Sequence, residues 1–120
     1  MVIPNQGDIW WVRFGDPEDS GPSGKRPAVV IQNDLLNRSN IRTTVVSLIT
    51  SNLRLASVPG NIRLKKGDAN LPKPSVVVVS QMATIDKSRL IEKIGTLNKT
   101  GVEEIIKSCQ NVISLIQFID

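Results

Sequence analysis

A regular alternation of apolar and polar side chains marks the segment DIWWVRF at residues 8–14. Its apolar set is Trp10, Val12 and Phe14. A period of two places these side chains on one face of a strand and Trp11 and Arg13 on the other, so the segment is predicted to be a half-buried β-strand. One of the two tryptophans should therefore lie in the core and the other outside it.

Five further segments are rich in β-branched residues and are predicted to be strands. They are residues 26–33, 41–50, 58–64, 75–85 and 91–97. Pro27 fits the start of its strand, because a first residue can do without a ladder hydrogen bond. The unbroken apolar run Val76–Val79 predicts burial on both faces of the longest strand.

Turn-forming residues separate these strands. Residues 15–24 and 65–74 are dense in Gly, Pro, Asp and Asn, and both are predicted to be exposed loops. Residues 34–40 are predicted to form a connecting turn, and residues 86–90 a single helical turn.

The apolar period changes near the C-terminus, where spacings of three and four predict an amphipathic helix. Its stripe consists of Val102, Ile105, Ile106, Cys109, Val112, Ile113 and Ile116. Thr100 and Glu103 have the spacing of a capping box, and Asn98 is the alternative cap. Because Cys109 falls inside the stripe, it is interpreted as a small core residue and not as a reactive thiol.

Several short strands followed by one helix predict a single domain over residues 1–120. Its fold class is mainly β with α, a small antiparallel β-barrel or strongly twisted sheet with a C-terminal amphipathic helix. No apolar stretch reaches the roughly 18 residues that a membrane span needs, and the start of the chain does not resemble a secretory signal. A cytoplasmic location is therefore expected.

The chain contains no histidine and one cysteine. Nucleophile–histidine pairs, imidazole acid–base chemistry and an internal disulfide are thereby excluded, and a zinc site is disfavoured. A hydrolytic site in this chain would depend on arginine, lysine, carboxylates, hydroxyls and backbone amides.

Positive charge is concentrated in one part of the chain, which has a net charge of +4. Residues 35–67 contain six lysines and arginines and no acidic residue. This is the electrostatic pattern of a polyanion-binding surface, although a solvated basic surface would have the same composition. The scarcity of aromatic residues, with two Trp, two Phe and no Tyr, argues against a base-stacking platform.

Arg26 stands at the entry of the second predicted strand, and Thr50 and Ser51 at the exit of the third. If these strands are antiparallel neighbours, a guanidinium and two hydroxyls converge at one rim of the sheet. The guanidinium fork matches phosphate oxygens, and the hydroxyls add donors. The spacing is compatible with a phosphate-binding site, but an arginine before proline is more often a solvated charge, and Thr-Ser after a strand is more often part of a turn.

An ordered set of segments resembles the MazF/PemK toxins of bacterial toxin–antitoxin systems. The segments are GDIWWVRFGDP, KRPAVVIQND, LLNR, VVSLITSN and SQMATIDKSRLIEKIGTL, in this order from Gly7 onward. The resemblance implies an SH3-like β-barrel with a C-terminal helix. It also implies metal-independent, sequence-specific cleavage of single-stranded RNA without a cofactor, leaving 2′,3′-cyclic phosphate and 5′-hydroxyl ends. The implied partners are single-stranded RNA, a cognate antitoxin and a second copy in a homodimer.

The resemblance implies a catalytic role for Arg26, which matches the arginine of the family's Arg-Pro pair, and for Thr50. Lys25, Ser51, Ser80 and Gln81 are the implied substrate-binding residues. Two departures leave the general base unassigned, because many relatives carry a carboxylate at the position of Ser80 and some an arginine at that of Val78. The outward-facing tryptophan would line the RNA groove or the dimer face.

Other interpretations remain. Toxins that poison gyrase share this fold, so a non-catalytic toxin that binds a host protein is the alternative, and a non-catalytic RNA-binding barrel is a third. Asp16, Glu18 and Asp19 could be imagined as magnesium ligands, but their Gly/Pro-rich loop favours turn-capping and solvation.

Overall fold

One antiparallel sheet of six strands, with a helix after the last strand, makes up the part of the chain that the computed structural model describes, residues 2–15 and 24–115. The strands run in the order β4-β5-β3-β2-β1-β6, so β4 and β6 are the edges of a curled sheet, a half-barrel. The strands are β1 (Asp8–Arg13), β2 (Lys25–Val30), β3 (Thr43–Thr50), β4 (Ile62–Leu64), β5 (Ser75–Asp86) and β6 (Leu90–Thr96). The α-helices are α1 (Asp34–Asn37) and α2 (Lys99–Val112).

The predicted fold class and all six predicted strands are confirmed. The connecting turn at 34–40 begins with the one-turn helix α1, and the helical turn expected at 86–90 is a 3₁₀ turn, Lys87–Arg89. The segment 58–64 forms a strand only at its end, in β4, and a second 3₁₀ turn, Leu53–Ser57, was not predicted. Most of the predicted loop 15–24 lies outside the described residues, with Asp16, Glu18 and Asp19 in it.

The core consists of two apolar clusters. The larger one lies beneath α2 and is formed by Ile9, Val29, Ile49, Leu64, Leu71, Val77, Val79, Ile105 and Cys109. The second is formed by Trp10, Val12, Ala28, Val30, Val46, Ile85 and Leu90. Trp10 is therefore the core tryptophan, and the run Val76–Val79 is buried throughout, as the sequence predicted.

Helix α2 is capped by Asn98, whose side-chain oxygen accepts a hydrogen bond of 2.8 Å from the backbone N–H of Gly101. Thr100, the other candidate, already lies inside the helix. Among the described residues of the predicted apolar stripe, Ile105 and Cys109 are buried and Val102 and Ile106 are half-buried. Val112, the last helical residue, and Ile113 are exposed. The last stripe residue, Ile116, lies outside the described residues.

A buried polar network fixes α1 to the sheet. Asn37 is fully buried, and its side-chain oxygen accepts hydrogen bonds from Gln32 and Thr44, both of 2.9 Å. Its side-chain nitrogen donates to the carbonyl of Gln32, while its own carbonyl accepts from the buried ammonium of Lys87 at 2.8 Å. The end of the sheet at the start of β3 is thus held by hydrogen bonds as well as by apolar packing.

Membrane-spanning character was tested for the helices. None of those within residues 2–15 and 24–115 is long and apolar enough to cross a bilayer.

Candidate active site

The register of β2 and β3, extended by two residues beyond its last pair, would set Arg26 opposite Thr50. Strands β2 and β3 are antiparallel neighbours in which Ala28 pairs with Leu48. Two positions further along both strands the same register meets Arg26 and Thr50, and side chains at opposed positions lie on one face of a sheet. The predicted convergence of these two residues is therefore a consequence of strand pairing.

A cavity of about 190 Å³ opens at this end of the sheet. Its lining contains four of the six predicted site residues, namely Lys25, Arg26, Thr50 and Ser51. The other lining residues are Trp11, Pro27, Ile49, Leu71, Pro72, Lys73, Ser75 and Ile94. The set combines three cations and three hydroxyls with an apolar floor, and no carboxylate is among the described lining residues.

Arg26 and Thr50 both have donor groups available for a ligand. The Arg26 side chain is exposed, and within the described parts of the chain it forms no hydrogen bond or ion pair. The Thr50 hydroxyl accepts a hydrogen bond of 3.1 Å from the backbone N–H of Asn52, which leaves its proton free to be donated. A guanidinium fork and an oriented hydroxyl at one rim are suited to the oxygens of a phosphate.

The turn that precedes β5 forms the facing wall. Leu71 is buried in the core, and its carbonyl accepts a hydrogen bond of 2.9 Å from Gly67 N–H. Ser75 donates a hydrogen bond of 2.9 Å to the carbonyl of Lys73, which stands between two prolines. These constraints hold the backbone of Lys73 against the cavity, although this residue was not among the predicted ones.

This wall depends on close packing against β6. Ala69 and Asn70 have left-handed backbone conformations, with φ of 47° and 62°, so the turn is sharp. A Cβ atom at Gly95 of β6 would overlap the carbonyl group of Ala69. Glycine at position 95 is therefore what lets the turn, and with it Leu71, approach the cavity.

Trp11 is the outward tryptophan, and it lines the cavity. It pairs with Pro27 across β1 and β2, which places Lys25 diagonally opposite. The Lys25 ammonium lies 5.1 Å from the centre of the Trp11 ring, within the range of a cation–π contact. Of the two alternatives for this tryptophan, the groove at the site is the one that its position favours.

Ser80 and Gln81 lie outside the cavity. Strand β5 bulges at this point, since Val78 pairs with Leu48 while Met82 pairs with the preceding residue of β3, Ser47. Ser80 and Gln81 are exposed on the looped-out residues between them. Their contact with substrate stays a prediction.

Two groups with a shifted pKa lie outside the cavity. Hydrogen bonds from Ser88, the backbone N–H first, lower the pKa of Asp86, and burial raises the pKa of the Cys109 thiol, but neither residue lines the cavity. The described residues hold no cluster of three or more His, Cys, Asp or Glu side chains suited to a metal ion. The charged and polar side chains among the described lining residues are lysine, arginine and hydroxyl groups.

Fold and site together define a small curled-sheet protein with a cationic cavity for a polyanion. Residues 5–113 match the family described as "PemK-like, MazF-like toxin of type II toxin-antitoxin system". The chain belongs to this family, as the resemblance in its sequence had implied.

Curated relatives align over almost the whole chain. Endoribonuclease MazF2 of Mycobacterium bovis is 36% identical, over 96% of this chain and 100% of the relative. Endoribonuclease EndoA of Bacillus subtilis is 31% identical, over 98% of this chain and 100% of the relative. Both relatives are named as endoribonucleases.

Solved structures share the fold. An endoribonuclease from a mycobacterial species superimposes with a TM-score of 0.75 at 16% identity, covering 94% of this chain and 93% of that one. A MazE–MazF structure from Deinococcus radiodurans gives a TM-score of 0.73 at 18% identity, covering 97% of this chain and 100% of that one. At these identities the likeness is one of fold.

Proposed function

We propose that this protein is an endoribonuclease toxin that cleaves single-stranded RNA at the cavity between β2, β3 and the turn before β5. The observation that carries the proposal is the presence of Arg26 and Thr50 in the lining of one cavity that also holds Lys25 and Lys73. Membership of a toxin family and the endoribonuclease relatives support the same activity. RNA supplies both the phosphate that this site fits and an internal nucleophile.

The residues available in the cavity suit attack by the substrate's own 2′-hydroxyl. The 2′-hydroxyl gives its proton to solvent water as its oxygen bonds to the neighbouring phosphorus. The bond to the 5′-oxygen breaks and that oxygen takes up a proton from solvent, which leaves a 2′,3′-cyclic phosphate and a 5′-hydroxyl. The phosphorane formed on the way carries extra negative charge on its non-bridging oxygens. Arg26 stabilises that charge, and Thr50 and Ser51 donate hydrogen bonds to the same oxygens.

The lysines and Arg26 also assist departure of the 5′-oxygen, because they place donors beside it. A guanidinium is a poor base at neutral pH, so Arg26 is assigned to charge stabilisation and not to removal of the 2′-hydroxyl proton. The main catalytic contribution of the protein is stabilisation of the phosphorane by preorganised donors. No step of this scheme requires a metal ion.

Partners follow from the family and from the neighbours. Structures of similar fold include an endoribonuclease with its cognate antitoxin from a mycobacterial species and the MazE–MazF structure. We infer a cognate antitoxin for this toxin, a homodimeric form, and a cytoplasmic location where RNA is the substrate. Size-exclusion chromatography with light scattering tests the homodimer directly.

Digestion of a long single-stranded RNA by the purified protein in excess EDTA tests the activity. The expected products are fragments cut at a defined sequence, with 2′,3′-cyclic phosphate and 5′-hydroxyl ends. Intact RNA in both EDTA and magnesium would contradict the proposal and favour a toxin that binds a host protein. Cleavage only with magnesium would contradict the metal-independent scheme.

A further inference from the structure

We propose that Trp11 is a binding platform for one nucleobase next to the scissile phosphate, and that Lys25 covers this platform until RNA binds. The inference rests on the proposed function, because it names a base subsite of the same cavity. Trp11 would position the substrate. The Lys25 side chain would have two positions, over the Trp11 ring in the free protein and at the RNA backbone in the complex.

Trp11 and Arg26 line the same cavity, although they occupy alternate positions of the β1–β2 ladder. Trp11 pairs with Pro27, the neighbour of Arg26 along β2. The indole is half-buried and lines the cavity that holds Arg26 and Thr50. A phosphate held by Arg26 would therefore have one of its flanking nucleotides within reach of this ring.

The ring has a face that a base can use. The Lys25 ammonium stands 5.1 Å from the ring centre, so a flexible cation lies over that face. Trp10 offers no such surface, because it is buried in the second core cluster with its indole N–H directed to Asp8. Among the described lining residues, Trp11 is the one aromatic side chain.

Lys25 is suited to exchange partners. In the free protein its charge is stabilised by the electron-rich ring face at an incompletely buried site, an interaction that a base stacking on the ring would replace. The displaced ammonium stays within a cavity where phosphate oxygens have arrived, which is a favourable place for it. Binding therefore costs the protein little, since one contact of Lys25 is exchanged for another.

The low aromatic content argued against a base-stacking platform, and that argument holds for a row of several stacked bases. A single well-placed ring is enough for one base. Stacking of one base on an aromatic residue has a substantial effect on affinity and tolerates different bases, so Trp11 would strengthen binding more than it would select sequence.

The test begins with the wild-type digest, which maps the cut site. The probe is then the mapped RNA segment with a single 2′-deoxy nucleotide at the cut, which lacks the attacking hydroxyl and binds without cleavage. Tryptophan emission is recorded during titration of the wild type and of Trp11→Phe. We expect a saturable change in the wild type that is absent in Trp11→Phe, whose remaining Trp10 is buried.

Two substitutions at position 11 separate a flat ring from simple bulk. Trp11→Phe keeps a stacking surface and should bind the probe within a few-fold of the wild type. Trp11→Leu keeps an apolar side chain without a ring and should bind about 10- to 100-fold more weakly. Equal affinities of Trp11→Leu and the wild type, or no emission change from Trp11, would overturn the platform.

Lys25→Met tests the exchange of partners. Its binding of the probe should depend less steeply on salt, by about one phosphate contact, whereas Lys99→Met on α2 should keep the wild-type slope. An unchanged slope for Lys25→Met would overturn the role given to Lys25. Failure of the wild type to cleave RNA would instead refute the proposed function, so the two failures are distinguishable.

Discussion

Arg26 and Thr50 line one cavity just beyond the paired part of β2 and β3, although a loop, a helical turn and most of two strands separate them along the chain. Strand pairing is a rigid way to hold two side chains at a fixed separation, because each strand is restrained by its neighbours on both sides. If the proposed function is right, the two donors would meet a phosphate without prior rearrangement of the backbone.

Replacing Arg26 should abolish most of the activity without loss of the fold. Arg26→Ala removes an exposed charge from the phosphorane site, and we expect kcat to fall by about 10²–10³-fold. Arg26→Lys should fail similarly, because an ammonium cannot reproduce the planar fork of donors. Fragment analysis of a cleaved RNA measures the rate, and circular dichroism checks the fold.

The matched control for this prediction is Arg38→Ala. Arg38 follows α1 near the other end of β3, is exposed and does not line the cavity. Its loss should leave kcat within a few-fold of the wild type. Retention of full cleavage by Arg26→Ala would refute the assignment of Arg26.

Thr50 should act through its hydroxyl and not through its shape. Thr50→Val preserves the volume but removes the donor, so kcat should fall by about 10²-fold or more. Thr50→Ser keeps the donor and should retain much of the activity. Thr84→Val, at an exposed position of β5 outside the cavity, is the control and should behave as the wild type. Equal rates for Thr50→Val and Thr50→Ser would exclude a role for the hydroxyl.

The convergence of Arg26 and Thr50 was predictable because it needs only two neighbouring strands and their direction. The alternation at residues 8–14, the β-branched runs and the helical stripe likewise follow from side-chain periodicity. These features depend on side chains within one segment or on the pairing of two neighbouring strands. They account for the fold and for four of the cavity residues.

The facing wall was not predictable from the same reasoning. It depends on left-handed backbone at Ala69 and Asn70, and neither residue is the glycine that would indicate such a conformation in a sequence. It also depends on the contact of that turn with Gly95. The place of Lys73 follows from this tertiary packing and not from any local pattern. The β-bulge at Ser80 and Gln81, which lie outside the cavity, also could not be predicted, because the sequence there is a continuous run of strand-forming residues.

Two glycine-to-alanine substitutions should have effects of opposite sign. Gly95→Ala places a methyl group onto the Ala69 carbonyl, so the backbone must shift at a cost of about 1–3 kcal/mol in unfolding free energy. Gly101→Ala in α2 meets only atoms at 3.4 Å or beyond and should stabilise the protein by about 0.5–1 kcal/mol.

Denaturant unfolding of both glycine variants measures these changes. Gly95→Ala should also lower the cleavage rate under conditions where it is folded, since the displaced turn carries Leu71 and Lys73. Wild-type stability and activity in Gly95→Ala would show that the wall does not need this close approach.

Asn37 should be important for stability and unimportant for chemistry. Asn37→Ala leaves the Thr44 hydroxyl and the Gln32 carbonyl without their side-chain partner, and each unsatisfied buried group costs about 1–3 kcal/mol. Asn33→Ala is a milder comparison, because Asn33 is exposed and caps α1 through one hydrogen bond of 2.7 Å to Leu35 N–H. Thermal unfolding should rank Asn37→Ala well below Asn33→Ala, with similar kcat for both at low temperature. The reverse ranking would refute the buried network as a support of the sheet.

Cys109 should be inert in the native protein and should make stability fall with rising pH. Burial raises the pKa of its thiol, so the folded chain keeps the thiol proton at a pH where the unfolded chain has lost it. The unfolded state then binds fewer protons than the native one, and the free energy of unfolding decreases as the pH rises past about 8.5, the ordinary thiol value. Below that pH the thiol is protonated in both states, so it does not change the free energy of unfolding with pH.

A thiol-specific reagent tests this environment at neutral pH. Native protein should react far more slowly than the same chain in guanidinium chloride, and the Cys109→Ala variant should lack the part of the alkaline stability loss that the thiol causes. Cleavage by Cys109→Ala should equal that of the wild type, because α2 buries position 109 in the core and not in the cavity. Rapid labelling of the native chain, with loss of RNA cleavage, would place the thiol in the reaction and contradict its assignment to the core.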